Sequence, residues 1–356
     1  MNIIFRVDAS TNIGSGHVRR CLILASYLRN RGANVSFICR EVIGNLCCLL
    51  EEAQFIVHRL PFDHSSAGKS DCQNMRVGDD AMDSVAIMDK YRAVDWLVID
   101  HYCLGQEWER AVSQSVRKIF VIDDLANRPH SCSALLNHAY LNDLRKRYDS
   151  LVSPNTQLLL GPRHFILNPV FHNARNNAVP PVSRSQRMLI FFGGADVTDE
   201  TTKAVQALGT LASDNMDVDV VITRQNRHRD SIKALVKDFK QHTLHEDLPD
   251  LSQLMAQATI MLGAGGGTIY ESLFMGLPSI IVTTAKHQTA AAKQLHQSKL
   301  ILWLGSSPSI TAPAIRDAIK PWVSKKSDKV LVEPEKLMNV VDGKGLNRIE
   351  KVLETS

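Results

Sequence analysis

"ATIMLGAGGGTIYESLFMGLPSIIV", residues 258–282, reads as strand, glycine turn, helix and second strand. The first apolar run ends at Leu262, four glycines fall within residues 263–267, and a helix begins at Thr268. The run "LPSIIVTT" (277–284) follows and is apolar without alternation. Apolar runs joined through a helix specify a parallel sheet covered by helices on its faces. A helix N-terminus exposes free N–H groups and a partial positive charge, and glycines let phosphate oxygens approach that backbone. Gly265, Gly266, Gly267 and Thr268 are therefore candidates to cradle a nucleotide's phosphates. A plainer account exists, because Thr268 and Glu271 have the spacing of a capping box that needs no ligand. Four glycines exceed what a cap needs. No Gly-Lys-Ser/Thr follows, so this is not a P-loop, and it does not open the first strand–helix–strand unit, which disfavours a dinucleotide site.

The same alternation runs through the rest of the chain. "NIIFRV" (2–7), "NVSFICR" (34–40), "WLVIDHY" (96–102), "KIFVIDD" (118–124), "SALLNHA" (133–139) and "TQLLLGP" (156–162) read as strands. From His17 to Arg31 the apolar residues Val18, Cys21, Leu22, Leu24, Ala25 and Leu28 recur at helical spacing, and Gly32 ends the helix. The polar stretch "HNARNNAVPPVSRSQ" (172–186) breaks the pattern and reads as a linker. A second series follows it, with "RMLIFFGG" (187–194), "VDVVITR" (218–224) and the opening stretch. Residues 63–90 are polar without clear period and read as a surface excursion, while 343–354 form a helical tail. The expected organisation is a Rossmann-like domain over 1–171, a linker over 172–186, a second Rossmann-like domain over 187–340 and a tail over 341–356. Two doubly wound α/β domains in series imply a ligand held in a cleft that both face.

Composition bounds the class. At 356 residues two domains of roughly 150 residues are expected. A net charge of +4 is small for this length and argues against a dedicated nucleic-acid partner. No run reaches the ~18 apolar residues of a membrane span, and the N-terminus lacks a signal-peptide pattern. Seven cysteines without a CxxC pair fit reduced thiols in a cytoplasmic protein.

The loop between the first strand and first helix carries Asp8, Ser10 and "IGSGHVRRC" (13–21), where an α/β domain presents ligand-binding groups. The helix dipole disfavours the imidazolium form of a histidine at a helix start, so His17 would suit a base. By residue type alone a cap or surface role is the plainer one. Gly14 and Gly16 favour close approach of a ligand. Asp100, His101, Tyr102, Asp123 and Asp124 end strands of the same domain. Asp123 and Asp124 are consecutive and point to opposite faces, so no metal site is read there; one of them is expected to orient a histidine or bind a sugar hydroxyl. Gly193 and Gly194, after "MLIFF" and before Asp196 and Thr198, are as much a turn as a second part of the nucleotide site.

Taken together the motifs resemble those of the UDP-sugar hydrolases of pseudaminic acid biosynthesis. "FRVDASTNIGSGHVRRCLILASYL" (5–28) resembles that family's N-terminal signature. "LVIDHY", "FVIDDLANR", "LIFFGGAD", the glycine-rich stretch and "VDGKGLNRI" (341–349) stand in the family's order. The resemblance implies a glycosyltransferase-B fold, similar to the N-acetylglucosaminyltransferase of peptidoglycan synthesis. It implies no metal or cofactor and a small-molecule UDP-sugar substrate. The reaction implied is hydrolysis of UDP-2,4-diacetamido-2,4,6-trideoxy-β-L-altropyranose with inversion. His17 matches the family's catalytic histidine and Glu271 its ribose-binding glutamate. Asp8, Tyr102 and Arg20 fall where sugar or water contacts are expected, and His287–Gln288 resembles a second sugar-binding stretch. Regions 63–90 and 323–340 match no family motif and are candidates for contacts with other pathway enzymes. A glycosyltransferase with the same UDP site is the rival expectation; a binding module without catalysis is the other.

Overall fold

A computed structural model describes residues 1–11, 13–62, 76–179, 184–211, 216–323 and 333–355. The chain forms two α/β units, Met1–Ile166 with Lys344–Ser356, and Leu167–Gly343. The first unit holds strands β1 (Asn2–Val7), β2 (Asn34–Arg40), β3 (Ile56–Leu60), β4 (Trp96–Asp100), β5 (Lys118–Ile122), β6 (Ala134–Asn137) and β7 (Gln157–Leu160). They pair in parallel in the order β3-β2-β1-β4-β5-β6-β7. The second holds β8 (Arg187–Phe191), β9 (Asp217–Ile222), β10 (His242–Glu246), β11 (Ile260–Ala264), β12 (Ser279–Thr283) and β13 (Leu302–Ser306). Their order is β10-β9-β8-β11-β12-β13, again parallel. In both sheets the strand order reverses beside the unit's first strand, between β1 and β4 and between β8 and β11. That is where an open α/β sheet leaves a crevice at its carboxyl edge.

The helices that matter below are α1 (Gly16–Arg29), α2 (Val77–Met88), α3 (Glu200–Gly209), α4 (Thr268–Phe274), α5 (Gln288–Gln297) and α6 (Gly345–Glu354). Val18, Cys21, Leu24, Ala25 and Leu28 of α1 are buried against Phe5, Phe37 and Val98 of the sheet in one core. A positive φ at Gly32 and an N–H bond from Ala33 to the Leu28 carbonyl end the helix, a geometry glycine adopts without penalty.

Four expectations meet a different structure. The units divide at Ile166, five residues before the expected 171, and a helix over Val170–Asn176 runs into the expected linker, which begins at 172. The tail is no appendage, since Leu346, Ile349, Val352 and Leu353 of α6 lie in the first unit's core. There Tyr27 donates to Glu350 at 2.7 Å and the Trp96 indole donates to the Leu353 carbonyl at 3.0 Å. Residues 77–88 of the expected surface excursion form α2, which buries Asp80, Ala81, Ser84, Ile87 and Met88; residues 63–75 lie outside the described residues. Among the described residues Cys21, Cys39, Cys47, Cys48 and Cys132 are free. Residues 334–338 of the second unmatched region form a short helix, and 324–332 lie outside the described residues. Among the described residues no helix is long and apolar enough to cross a membrane.

Candidate functional site

At the reversal point of the first unit, the chain leaves β1 and turns tightly into α1. The Gly14 N–H bonds the Ser10 carbonyl at 2.8 Å and the Ile13 N–H bonds the Ser10 hydroxyl at 2.9 Å. Gly14 sits at φ +83, where a side chain is strained, and a Cβ on Gly14 or Gly16 would meet nothing within 4 Å. The space above this loop is open. The turn sets His17 in the first turn of α1 with its side chain largely buried, 6% exposed.

His17 faces Asp100, the last residue of β4, with Nδ1 2.5 Å from Oδ1. Burial works to raise the Asp100 pKa, but the Arg20 guanidinium, with His17, holds it well below the usual carboxylate range. An ionised Asp100 can only accept, so the shared proton sits on Nδ1 and the Nε2 lone pair is left to take a proton. This is the base–orienter pairing that hydrolytic enzymes use to fix a histidine's tautomer. Tyr102 stands edge-on to the imidazole at 4.4 Å between ring centroids, and burial, then the charge of Asp124, pushes its hydroxyl pKa up.

The other expected residues of this unit divide. Arg20 donates to Asp100 and Asp124, and so is turned toward carboxylates. Asp8, expected to touch sugar or water, has both oxygens engaged inside the protein. Arg6 donates to them at 2.6 and 2.9 Å, the Arg40 N–H at 2.7 Å, and His101 Nε2 lies 3.1 Å away. Asp123 is likewise internal and accepts from Tyr148, Arg128 and the backbone of Leu125 and Ala126. Of the three carboxylates at these strand ends, Asp100 is the one that touches His17. Sequence reasoning could not choose among them, because the choice depends on β4 lying next to β1.

His138, buried just past β6, is a residue the sequence did not single out. Burial pushes its pKa down to about 4, with Asp124 opposing and Arg20 adding. An unfolded imidazole binds its proton near pH 6.5. Between about 6.5 and 4 the unfolded chain therefore binds more protons, and stability falls as pH is lowered through that window. The difference is roughly 2–4 kcal/mol. His138→Gln should flatten the decline in urea midpoint between about pH 7 and pH 4.5; an equally steep decline in the variant rejects this assignment.

At the reversal point of the second unit, β8, β11 and β12 are neighbours, and the loops leaving them carry Gly193–Gly194, Gly265–Gly267 and His287–Gln288. The capping box does not form. Gly267, not Thr268, is the N-cap of α4 and no side chain caps it. Two of the four glycines, Gly263 and Gly265, answer to packing. A Cβ on Gly263 would lie 2.6 Å from the Phe191 carbonyl oxygen, and one on Gly265 would lie 2.8 Å from Thr283 Cγ2 and 3.1 Å from Gln288 Cβ. The stretch at 287–288 thus lies against the glycine turn, with Gln288 Oε1 accepting the Thr284 N–H at 2.9 Å. His287 is exposed and Glu271 half-buried. Gly193 has φ +92 with open space at its Cβ, and the Gly194 carbonyl accepts the Thr223 hydroxyl at 2.7 Å. Asp196 serves as a cap of α3, accepting the N–H groups of Glu200 and Thr201. Its burial raises its pKa. Among the described residues no three His, Cys, Asp or Glu side chains converge as a metal site would need.

Comparison with known proteins gives the following. Residues 188–329 match the model of the Glycosyltransferase family 28 C-terminal domain, all within the second unit. The chain is 25% identical over 222 residues to the spore coat polysaccharide biosynthesis protein SpsG of Bacillus subtilis, covering 62% of this chain and 64% of that protein. The chain thus spans somewhat under two thirds of that relative's length. It is 24% identical over 301 residues to the UDP-2,4-diacetamido-2,4,6-trideoxy-β-L-altropyranose hydrolase of Campylobacter jejuni, covering 83% of this chain and 96% of that one. The solved structure of MurG from Acinetobacter baumannii superposes with a TM-score of 0.64 at 14% identity, over 100% of this chain and 99% of that one. The fold is the glycosyltransferase-B fold, as the sequence motifs implied.

Proposed function

We propose that the protein is an enzyme that processes nucleotide sugars in a sugar biosynthesis pathway, and that its reaction is hydrolysis of a UDP-sugar. The observation that carries the hydrolytic reading is the His17–Asp100 pair at the mouth of an open glycine loop. Likeness to the Campylobacter jejuni hydrolase over most of both chains supports the same substrate, UDP-2,4-diacetamido-2,4,6-trideoxy-β-L-altropyranose. In this reaction His17 Nε2 takes a proton from water as the water oxygen bonds the anomeric carbon. The bond from that carbon to the phosphate oxygen breaks, and UDP leaves with its electron pair. Asp100 stabilises the imidazolium that forms. Departing UDP is already a stable anion, so it needs charge stabilisation more than protonation. The Gly265–Thr268 backbone is proposed to supply it, with Glu271 on the ribose, Gly193 and Gly194 beside the phosphates, and His287 and Gln288 near the sugar. Attack opposite the leaving group inverts the anomeric centre.

A glycosyltransferase reading is favoured by one observation, the match of the second unit to a glycosyltransferase domain. One assay separates the two: incubate the protein with the UDP-sugar in EDTA without an acceptor and follow UDP. Release of UDP and free sugar supports hydrolysis. Release only on adding an acceptor supports transfer and rejects hydrolysis.

The nucleotide part has its own test. In Gly265→Val even the first carbon of the new side chain would lie 2.8 Å from Thr283 Cγ2, so Gln288 and the loop must shift. UDP affinity, read by calorimetric titration, should fall about tenfold or more, at least about 1.4 kcal/mol. An unchanged Kd removes this loop from the nucleotide site.

A further inference from the structure

We propose that Arg20 is a positioning residue that acts on His17 through Asp100, that Asp124 anchors it, and that it is not a ligand of the sugar. The inference rests on His17 being the base. Arg20 follows His17 by three residues and so lies one turn on, along the same face of α1. Its Nε donates to Asp100 Oδ2 and its Nη2 to Asp100 Oδ1, both at 2.6 Å. Such a two-pronged contact fixes the plane of a carboxylate, which a single point charge does not. The remaining nitrogen, Nη1, donates to Asp124 Oδ1 at 3.0 Å. Each of the three nitrogens donates to a carboxylate and the side chain is only 16% exposed, so the guanidinium is committed to Asp100 and Asp124.

The arrangement dictates where the Asp100 oxygens point. Oδ2 receives Arg20 Nε and the Cys21 thiol at 3.4 Å. Oδ1 receives Arg20 Nη2 and His17 Nδ1. The 3.2 Å approach of Nη2 to Nδ1 is that of two donors sharing one acceptor. With the carboxylate plane held, the imidazole satisfies Oδ1 only by carrying its proton on Nδ1. Release of the plane lets the carboxylate rotate and the tautomers mix. Among the described residues the charged and titratable groups around His17 are Asp100 at the end of β4, Tyr102 just after it, Arg20 on α1, Asp124 past β5, and His138 behind Asp124.

The test compares the full-length parent with Arg20→Lys and Asp124→Asn by ¹⁵N NMR of the imidazoles near pH 8, where free histidine is neutral. UDP-release kinetics are run beside it. The parent should show His17 as a single Nδ1-protonated tautomer. Arg20→Lys keeps a cation but loses the fork, and should give a tautomer mixture and a kcat lower by ~10–100-fold with KM within about threefold. Asp124→Asn should move both readouts the same way by a smaller factor. An unchanged tautomer in both variants overturns the proposal. So does a raised KM at constant kcat in Arg20→Lys, which would make Arg20 a substrate ligand. If the parent releases no UDP, the hydrolytic reading fails while the tautomer comparison still decides the role of Arg20.

Discussion

His17→Leu should lower the rate of UDP release by ~10²–10⁴-fold, the usual worth of a positioned general base. Leucine is close to histidine in volume, and the site it enters is walled by Tyr102 and the first turn of α1. The variant should therefore fold. It should leave Asp100 with Arg20 as its partner. The proposed nucleotide-binding loops belong to the other unit, so UDP affinity should stay within about twofold of the parent. Loss of turnover with retained UDP affinity is the result expected of a base. Full turnover in a folded His17→Leu variant would remove it from the chemistry.

The second large effect falls on stability. Behind the His17–Asp100 pair Arg6, wholly buried, lies between two carboxylates, Asp8 at 2.6 Å and Asp80 at 2.7 Å. Asp80 also receives Arg40 at 2.8 Å and the Trp108 indole N–H at 2.9 Å. Two guanidinium groups share this one buried carboxylate. Burial works to raise its pKa and the arginines hold it below the ordinary range. Asp80→Asn keeps the shape and removes the charge, leaving a buried cation under-compensated. Breaking a buried pair in this way costs about 3–5 kcal/mol, read as a lowered urea midpoint at unchanged slope. The ionised form of Asp80 is favoured in the folded state, so its contribution is complete above an unfolded pKa of about 4 and lost as pH falls further. A midpoint within experimental error of the parent would show that the network adds nothing.

The sequence was legible where strands are buried on both sides. Nine of the ten expected strands are interior to a sheet and largely apolar because helices cover both faces of a parallel sheet, with Arg6, Ser36 and Asp219 among the buried exceptions. The three that escaped, β3, β10 and β13, are all sheet edges. Apart from the buried Leu60 their residues are half-buried or exposed; "IVHRL" and "HTLHE" are broken by polar residues, whereas "LILWL" (300–304) is an apolar run that sequence reading passed over. The helix α2 escaped for another reason. It turns Asp80 and Ser84 inward, and the two arginines that justify Asp80 lie 74 and 40 residues away. A polar residue on a core face reads as solvent-facing until its partner is known.

The candidate site was legible to a similar depth. Glycines at strand ends and a histidine at a helix start are local signals, and sequence carries them. The choice of Asp100 over Asp123 and Asp124 is not local. Nor is the turning inward of Asp8, which follows from Arg6 being buried two residues before it. Arg20 fell among the expected sugar contacts because nothing in "HVRRC" tells that a carboxylate from β4 waits beside it.

The return of α6 to the first unit bears on how the protein is made. Chain emerges from the ribosome in order, and a domain closes only when its last core element is available. The first unit takes Leu346, Ile349, Val352 and Leu353 into its core, so it stays incomplete while the whole second unit is being synthesised. The unit encoded in the middle can finish first. Nascent chains halted before residue 345 would carry an uncovered apolar face beside Tyr27 and Trp96, a surface for chaperones to hold until the last helix arrives.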